Sequence, residues 1–174
     1  MTAVEIVILV VSIIAGIYIL LLGMDIIFII SFSSIFRKHN TALGVMLHTK
    51  YENIMKMIEL FKKEGVEVRK EYEEMLASID ANSFKDQELP ECISARNDLA
   101  YLRNELVYIA STQPNINKNL EVKRAKDAIT EMDANYRSLV AMYNADVLGY
   151  NYWINFWAGR YIKFIFKLKD KQII

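Results

Sequence analysis

The sequence predicts an all-α fold: an N-terminal transmembrane helix followed by an antiparallel bundle of three to four long helices. Three observations predict it. Residues 6–36 hold a single charged side chain, Asp25. Beyond them, apolar residues recur at alternating spacings of three and four over long runs, the signature of a helix with one buried face. No segment alternates apolar and polar residues between hairpin turns, as paired strands would.

The apolar segment comes first in the chain. Residues 6–24 alone make about 28 Å of helix at ~1.5 Å per residue, enough to cross the hydrocarbon core of a bilayer. The full stretch to residue 36 exceeds that length, which implies tilt or a helix that leaves the bilayer still apolar. It lacks the basic start and small-residue cleavage site of a signal peptide, so an uncleaved single-pass anchor is expected. Arg37 and Lys38 follow it, and Lys50, Lys56, Lys62 and Lys63 come soon after, whereas only Glu5 lies before it. The positive-inside rule then puts the N-terminus outside and the rest of the chain in the cytoplasm. Asp25 is expected to be solvated at the inner interface if the span is 6–24. If the span slides toward 12–34, Asp25 is expected to face a partner helix or polar cavity.

Leu47, Tyr51, Ile54, Ile58, Phe61, Gly65, Val68, Tyr72, Met75 and Ile79 keep one rhythm, which predicts a long amphipathic helix over about 40–79. Gly65 sits within it, and one glycine costs a helix only about 1 kcal/mol relative to Ala, so the helix is expected to run through. Residues 80–90 (DANSFKDQELP) break the pattern and read as a loop. Ala95, Leu99, Leu102, Leu106 and Ile109 mark a second helix over about 91–112, ended by Pro114. A third helix starts near 118 and runs beyond 152 on Val122, Ala125, Ile129, Met132, Tyr136, Leu139, Tyr143, Val147, Tyr150, Ile154 and Trp157. Coiled-coil-like packing of these faces is expected.

Within the third helix, Tyr136, Tyr143, Tyr150 and Trp157 recur every seven residues and share one stripe. Buried tyrosines must find partners for their hydroxyls. The expectation is a core seam with its hydroxyls bonded to Asn144, Asn151 or a facing helix; the alternative is a pocket or partner-binding groove.

The chain falls into three segments: an anchor (1–36), the bundle (37–157) and a tail (158–174). Formal net charge is zero. Residues 37–152 hold 16 basic and 18 acidic side chains, and the last 22 residues hold five basic against one acidic. This balance excludes a general nucleic-acid binder. In the tail, Arg160, Lys163, Lys167 and Lys171 form a basic stripe, with Lys169 beside it and aromatics on the other side. Such a basic aromatic helix suits an anionic membrane surface, with Trp157, Arg160, Lys163, Lys167, Lys169 and Lys171 as the candidate lipid contacts.

No glycine-rich phosphate loop, HExxH or nucleophile elbow occurs, so no catalytic residue, cofactor or metal is expected. His39 and His48 are nine residues apart, half a turn out of phase on a helix. The lone cysteine, Cys92, excludes a disulfide framework.

Three stretches together resemble the LemA family of bacterial membrane proteins. VMLHTKYENIMKMIELFKK (45–63) resembles its first-helix pattern, and QPNINKN (113–119) resembles its Tyr-Pro-Asp-Leu-x-x-Asn turn. YNADVLGYN (143–151) matches its Tyr-Asn-x-x-Val-x-x-Tyr-Asn signature through Tyr143, Asn144, Val147, Tyr150 and Asn151. The similarity covers about residues 40–165. Met55 stands where the family usually has Pro, and Val140, Ala141 and Met142 replace its usual arginines. The resemblance implies an anchor in the bacterial inner membrane, a helical bundle and no enzyme activity. The function expected is that of a non-enzymatic scaffold with a protein partner or self-association. The alternative is a lipid-binding or membrane-shaping protein acting through the tail.

Overall fold

The computed structural model describes residues 2–88, 90–113, 116, 118–156 and 159–174. Its α-helices are α1 (Ala3–Lys63), α2 (Lys70–Ser78), α3 (Pro90–Thr112), α4 (Leu120–Asn155) and α5 (Gly159–Phe166), with a 3₁₀ turn at Ala81–Lys85. No strand occurs among the described residues. Contacts divide the chain into two compact units, one of residues 38–142 and one of residues up to 37 with 143–173.

Helix α1 opens on a reciprocal cap. The Thr2 amide donates to Glu5 Oε2 at 2.8 Å, and the Glu5 amide donates to Thr2 Oγ1 at 3.3 Å. Two of the donors a helix start leaves unpaired are thereby satisfied. From that cap, α1 runs 61 residues, about 90 Å at ~1.5 Å per residue.

The helix expected to continue to residue 79 stops at Lys63, which corrects the reading of Gly65. Gly65 has φ +71°. Its amide donates to the Lys62 carbonyl at 3.1 Å, and the Val66 amide reaches back to the Phe61 carbonyl at 2.9 Å. This is a Schellman close, which places a left-handed residue one past the helix end. The low helical cost of a glycine hid its value as a stop: only a residue without Cβ takes this conformation freely.

In the 38–142 unit the break yields four antiparallel passes: α1, α2 with its flanking chain, α3, and the first part of α4. Leu47, Ile54, Met57, Phe61, Tyr72, Leu99, Leu102, Leu106, Val122 and Ile129 make its buried core. The loop expected at 80–90 carries the 3₁₀ turn. Asp80 starts it by accepting from the Asn82 amide at 2.9 Å, and Phe84 fills a gap beside Tyr51. Pro90 occupies the first position of α3, where a missing N–H costs nothing. Asn119 caps α4, accepting from the Glu121 amide at 2.8 Å, while its Nδ2 donates to Glu64 Oε1 at 2.7 Å. Pro114, expected to end the second helix, lies outside the described residues.

Candidate functional site

In the second unit, the C-terminal part of α4, α5 and the chain after it pack on residues 22–37 of α1. Ile29, Tyr150, Ile154 and Ile162 are buried together, with Leu22, Phe32, Trp153 and Leu168 around them. The Phe28 and Trp153 rings stack 4.5 Å apart at 9°. At Gly149 an added Cβ would lie 2.7 Å from Phe32 Cε1, so this glycine lets the two helices approach.

Before residue 22 the picture changes. Residues 2–21 are exposed throughout, and their side chains are almost all apolar. The helix is long and apolar enough to cross a membrane. Asp25 is only 4% exposed, and its Oδ2 has no hydrogen-bond partner among the described residues. Of the two expectations for Asp25, solvation at the interface is corrected and the buried alternative agrees: it sits on the packed face of α1, one turn from Ile29.

The tyrosine stripe packs as a seam. Tyr143 is fully buried with its ring 4.8 Å from that of Phe36, Tyr150 is buried against Ile29, and Tyr136 is half-buried. Burial pushes the Tyr136 and Tyr150 hydroxyls up in pKa; the Arg96 guanidinium beside Tyr136 opposes this, and the Asp170 carboxylate near Tyr150 reinforces it. Val147 is fully buried in the same row. Trp157, the last member, lies outside the described residues.

Asn151 has a different role from the one expected. Its Nδ2 donates to the Lys171 carbonyl at 2.8 Å, and its Oδ1 accepts from the Lys171 amide at 2.9 Å. The second signature asparagine thus clasps the backbone of the tail. One turn on, Asn155 extends the clasp. Its Nδ2 donates to Asp170 Oδ1 at 2.7 Å, and its Oδ1 accepts from Lys163 Nζ at 2.8 Å. Lys163 also pairs with Asp170 at 2.7 Å. The Lys163 ammonium and the Asn155 amide hold the Asp170 carboxyl below its usual range. Asn155 was missed in the sequence, although it lies four residues after Asn151 on the same helix face.

These bonds divide the candidate lipid-contact residues. Arg160 donates to the Asn155 carbonyl at 3.1 Å, Lys163 joins the Asp170 network, and the Lys171 ammonium lies 5.0 Å from the Phe36 ring centroid. Three cations of the basic stripe are therefore engaged within the chain. Lys167 and Lys169 are exposed, as are Tyr161, Phe164, Ile165 and Phe166. Lys167 closes α5 with φ +50°, and the Leu168 amide returns to the Lys163 carbonyl at 3.0 Å. This second Schellman close turns the chain back toward Asn151.

The 38–142 unit holds a polar cluster that the sequence did not announce. Asp133 of α4 pairs with Lys50 of α1 at 2.8 Å and with Arg103 of α3 at 2.8 Å. All three side chains are at least three-quarters buried. The cluster ties three helices at one level. Among the described residues no three His, Cys, Asp or Glu side chains converge as a metal site would require.

The chain matches no protein-family model, no curated protein and no solved structure.

Proposed function

We propose that this protein is a non-enzymatic, membrane-anchored interaction protein of the LemA type, held in a bacterial inner membrane with its helical bundle in the cytoplasm. One observation carries the reading: residues 3–21 form an apolar, exposed helical stretch that no other described residue covers, continuous with the packed part of α1. An uncovered apolar helix of that length is stable in lipid and costly in water. The bundle carries isolated exposed apolar residues, Val45, Tyr108 and Met142, as candidate partner contacts. Photo-crosslinking residues placed at these three positions in the full chain, in native membranes, test it. A discrete adduct from a carbonate-resistant membrane fraction is the expected result. Release of the protein by carbonate, or only diffuse labelling at all three positions, would refute it.

A second reading, that the tail contacts lipid, is favoured by the exposure of Tyr161, Phe164, Ile165 and Phe166 on a helix packed against α1 just past its exposed N-terminal stretch. The basic contribution then falls to Lys167 and Lys169. A nitroxide at position 164, in a Cys92→Ala background in anionic nanodiscs, should collide more with oxygen than with a water-soluble relaxant. The reverse order rejects lipid contact.

A further inference from the structure

The unit of residues up to 37 with 143–173 contains a cleft of about 390 Å³ between α1 and the tail. On α1 it is lined by Ile26, Ile29, Ile30, Ser33, Ser34 and Arg37; across from them stand Ile162, Phe166 and Leu168. Its volume lies within the usual range for small-molecule sites, roughly 300–1,000 Å³. The spacing of the α1 residues, three and one in alternation, places them on one face of the helix.

The lining has a direction. It is purely apolar at Ile26, Ile29 and Ile30, carries two hydroxyls at Ser33 and Ser34, and ends in a guanidinium at Arg37. Among the described residues no acidic side chain lines it. From Ile26 to Arg37 is about 16 Å along the helix at ~1.5 Å per residue, close to half of a ~30 Å hydrocarbon core. That is the length of one leaflet. Ile29 and Ile162 form a buried floor, whereas Ile30 and Phe166 are exposed walls. Its apolar end, at Ile26, lies nearest the exposed N-terminal stretch of α1, on the side of the proposed bilayer.

We propose that this cleft binds one anionic phospholipid, with an acyl chain along Ile26, Ile29, Ile30, Ile162 and Phe166 and the phosphate at Arg37 and the two serines. The order of apolar wall, hydroxyls and cation matches the order of acyl chain, glycerol ester and phosphate in one lipid. A guanidinium with neighbouring hydroxyls is well suited to phosphate oxygens. A second copy of α1 is the other apolar occupant, and chain-to-chain crosslinking distinguishes it from lipid. The proposal rests on the membrane-anchored reading and adds a site to it.

The test uses the full chain in phosphatidylcholine vesicles doped with phosphatidylglycerol that carries a photoactivatable acyl chain. Adducts are mapped by mass spectrometry, with photoactivatable phosphatidylcholine run in parallel. The expected result is labelling concentrated in residues 26–37 and 162–168. Ile30→Trp fills the cleft from an exposed position and should lower those adducts about fivefold or more, while Ile14→Trp on the exposed N-terminal stretch leaves them unchanged. Arg37→Gln should lower the phosphatidylglycerol adduct about five- to tenfold and the phosphatidylcholine adduct little, the effect of losing one charge-assisted contact. Labelling spread evenly over residues 6–24 and indifferent to Ile30→Trp overturns the site, even if the protein remains carbonate-resistant. Chain-to-chain crosslinks through position 30 that exclude the probe overturn it in favour of self-association. A thermal melt of each variant matching the parent shows that the fold is retained.

Discussion

At the residue scale, the polar groups that matter most are short side chains bonded to backbone. Asn151 holds both the amide and the carbonyl of Lys171. Asn151→Ala leaves two half-buried backbone groups unpaired, at a cost of about 1–2 kcal/mol. Hydrogen exchange at the Lys171 amide should accelerate in step, with the 38–142 core unchanged; equal protection in both proteins would remove the clasp. Tyr72 shows the same logic with a charge. Its hydroxyl donates to Glu105 Oε2 at 2.8 Å, and burial, followed by that carboxylate, pushes its pKa from 10.0 up to about 12. A neutral form favoured by the fold stabilises fully below the unfolded pKa, and the contribution is lost as pH rises from about 10 through 12. Chemical denaturation at about pH 9 and about pH 11.5 should show this loss, and Tyr72→Phe should show less of it. The tyrosine seam was readable because period seven on a helix needs no knowledge of neighbours. The partner of Asn151 was not readable, because a tail backbone twenty residues away leaves no mark in the local pattern.

At the element scale, helix faces were legible and helix ends were less so. The residues spaced by three and four are the core of both units, since burial follows period alone. Gly65 was misjudged because propensity weighs a glycine inside a helix and says little about one past its end. Gly65→Ala at φ +71° should destabilise by about 1–2 kcal/mol. Lys167, the other residue in this conformation, offers the converse: Lys167→Gly removes a left-handed strain of roughly 1 kcal/mol and should raise the melting temperature or leave it unchanged. A clear fall would show that the lysine side chain contributes more than its backbone strain. Close helix approach also escaped the sequence. A Cβ at Gly149 would strike the Phe32 ring, so Gly149→Leu should loosen the packing of α4 on α1, read as faster exchange at Tyr150 and Ile154.

At the scale of the whole molecule, the composition break at residue 36 and the structural break differ. The sequence turns from apolar to charged at Arg37, yet residues 22–36 are not free: Leu22, Ile29, Phe32 and Phe36 pack on Tyr143, Gly149, Tyr150, Ile154 and Ile162. Hydropathy cannot separate an apolar residue that faces lipid from one that faces α4, because both avoid water to the same degree. The exposed stretch ends at residue 21 instead. A chain cut to begin at residue 22 therefore keeps the cover over Tyr150, Ile154 and Ile162. One that begins at residue 37 exposes three buried side chains, each worth about 1.5–3 kcal/mol of burial. We expect the longer fragment to melt cooperatively and at higher temperature, and the shorter to bind a hydrophobic dye and lose protection across residues 143–173. Calorimetry and hydrogen exchange on the two fragments, in the same detergent, decide it. Indistinguishable melts would mean that residues 22–36 contribute no more to this core than residues 2–21, and that the anchor ends where its composition does.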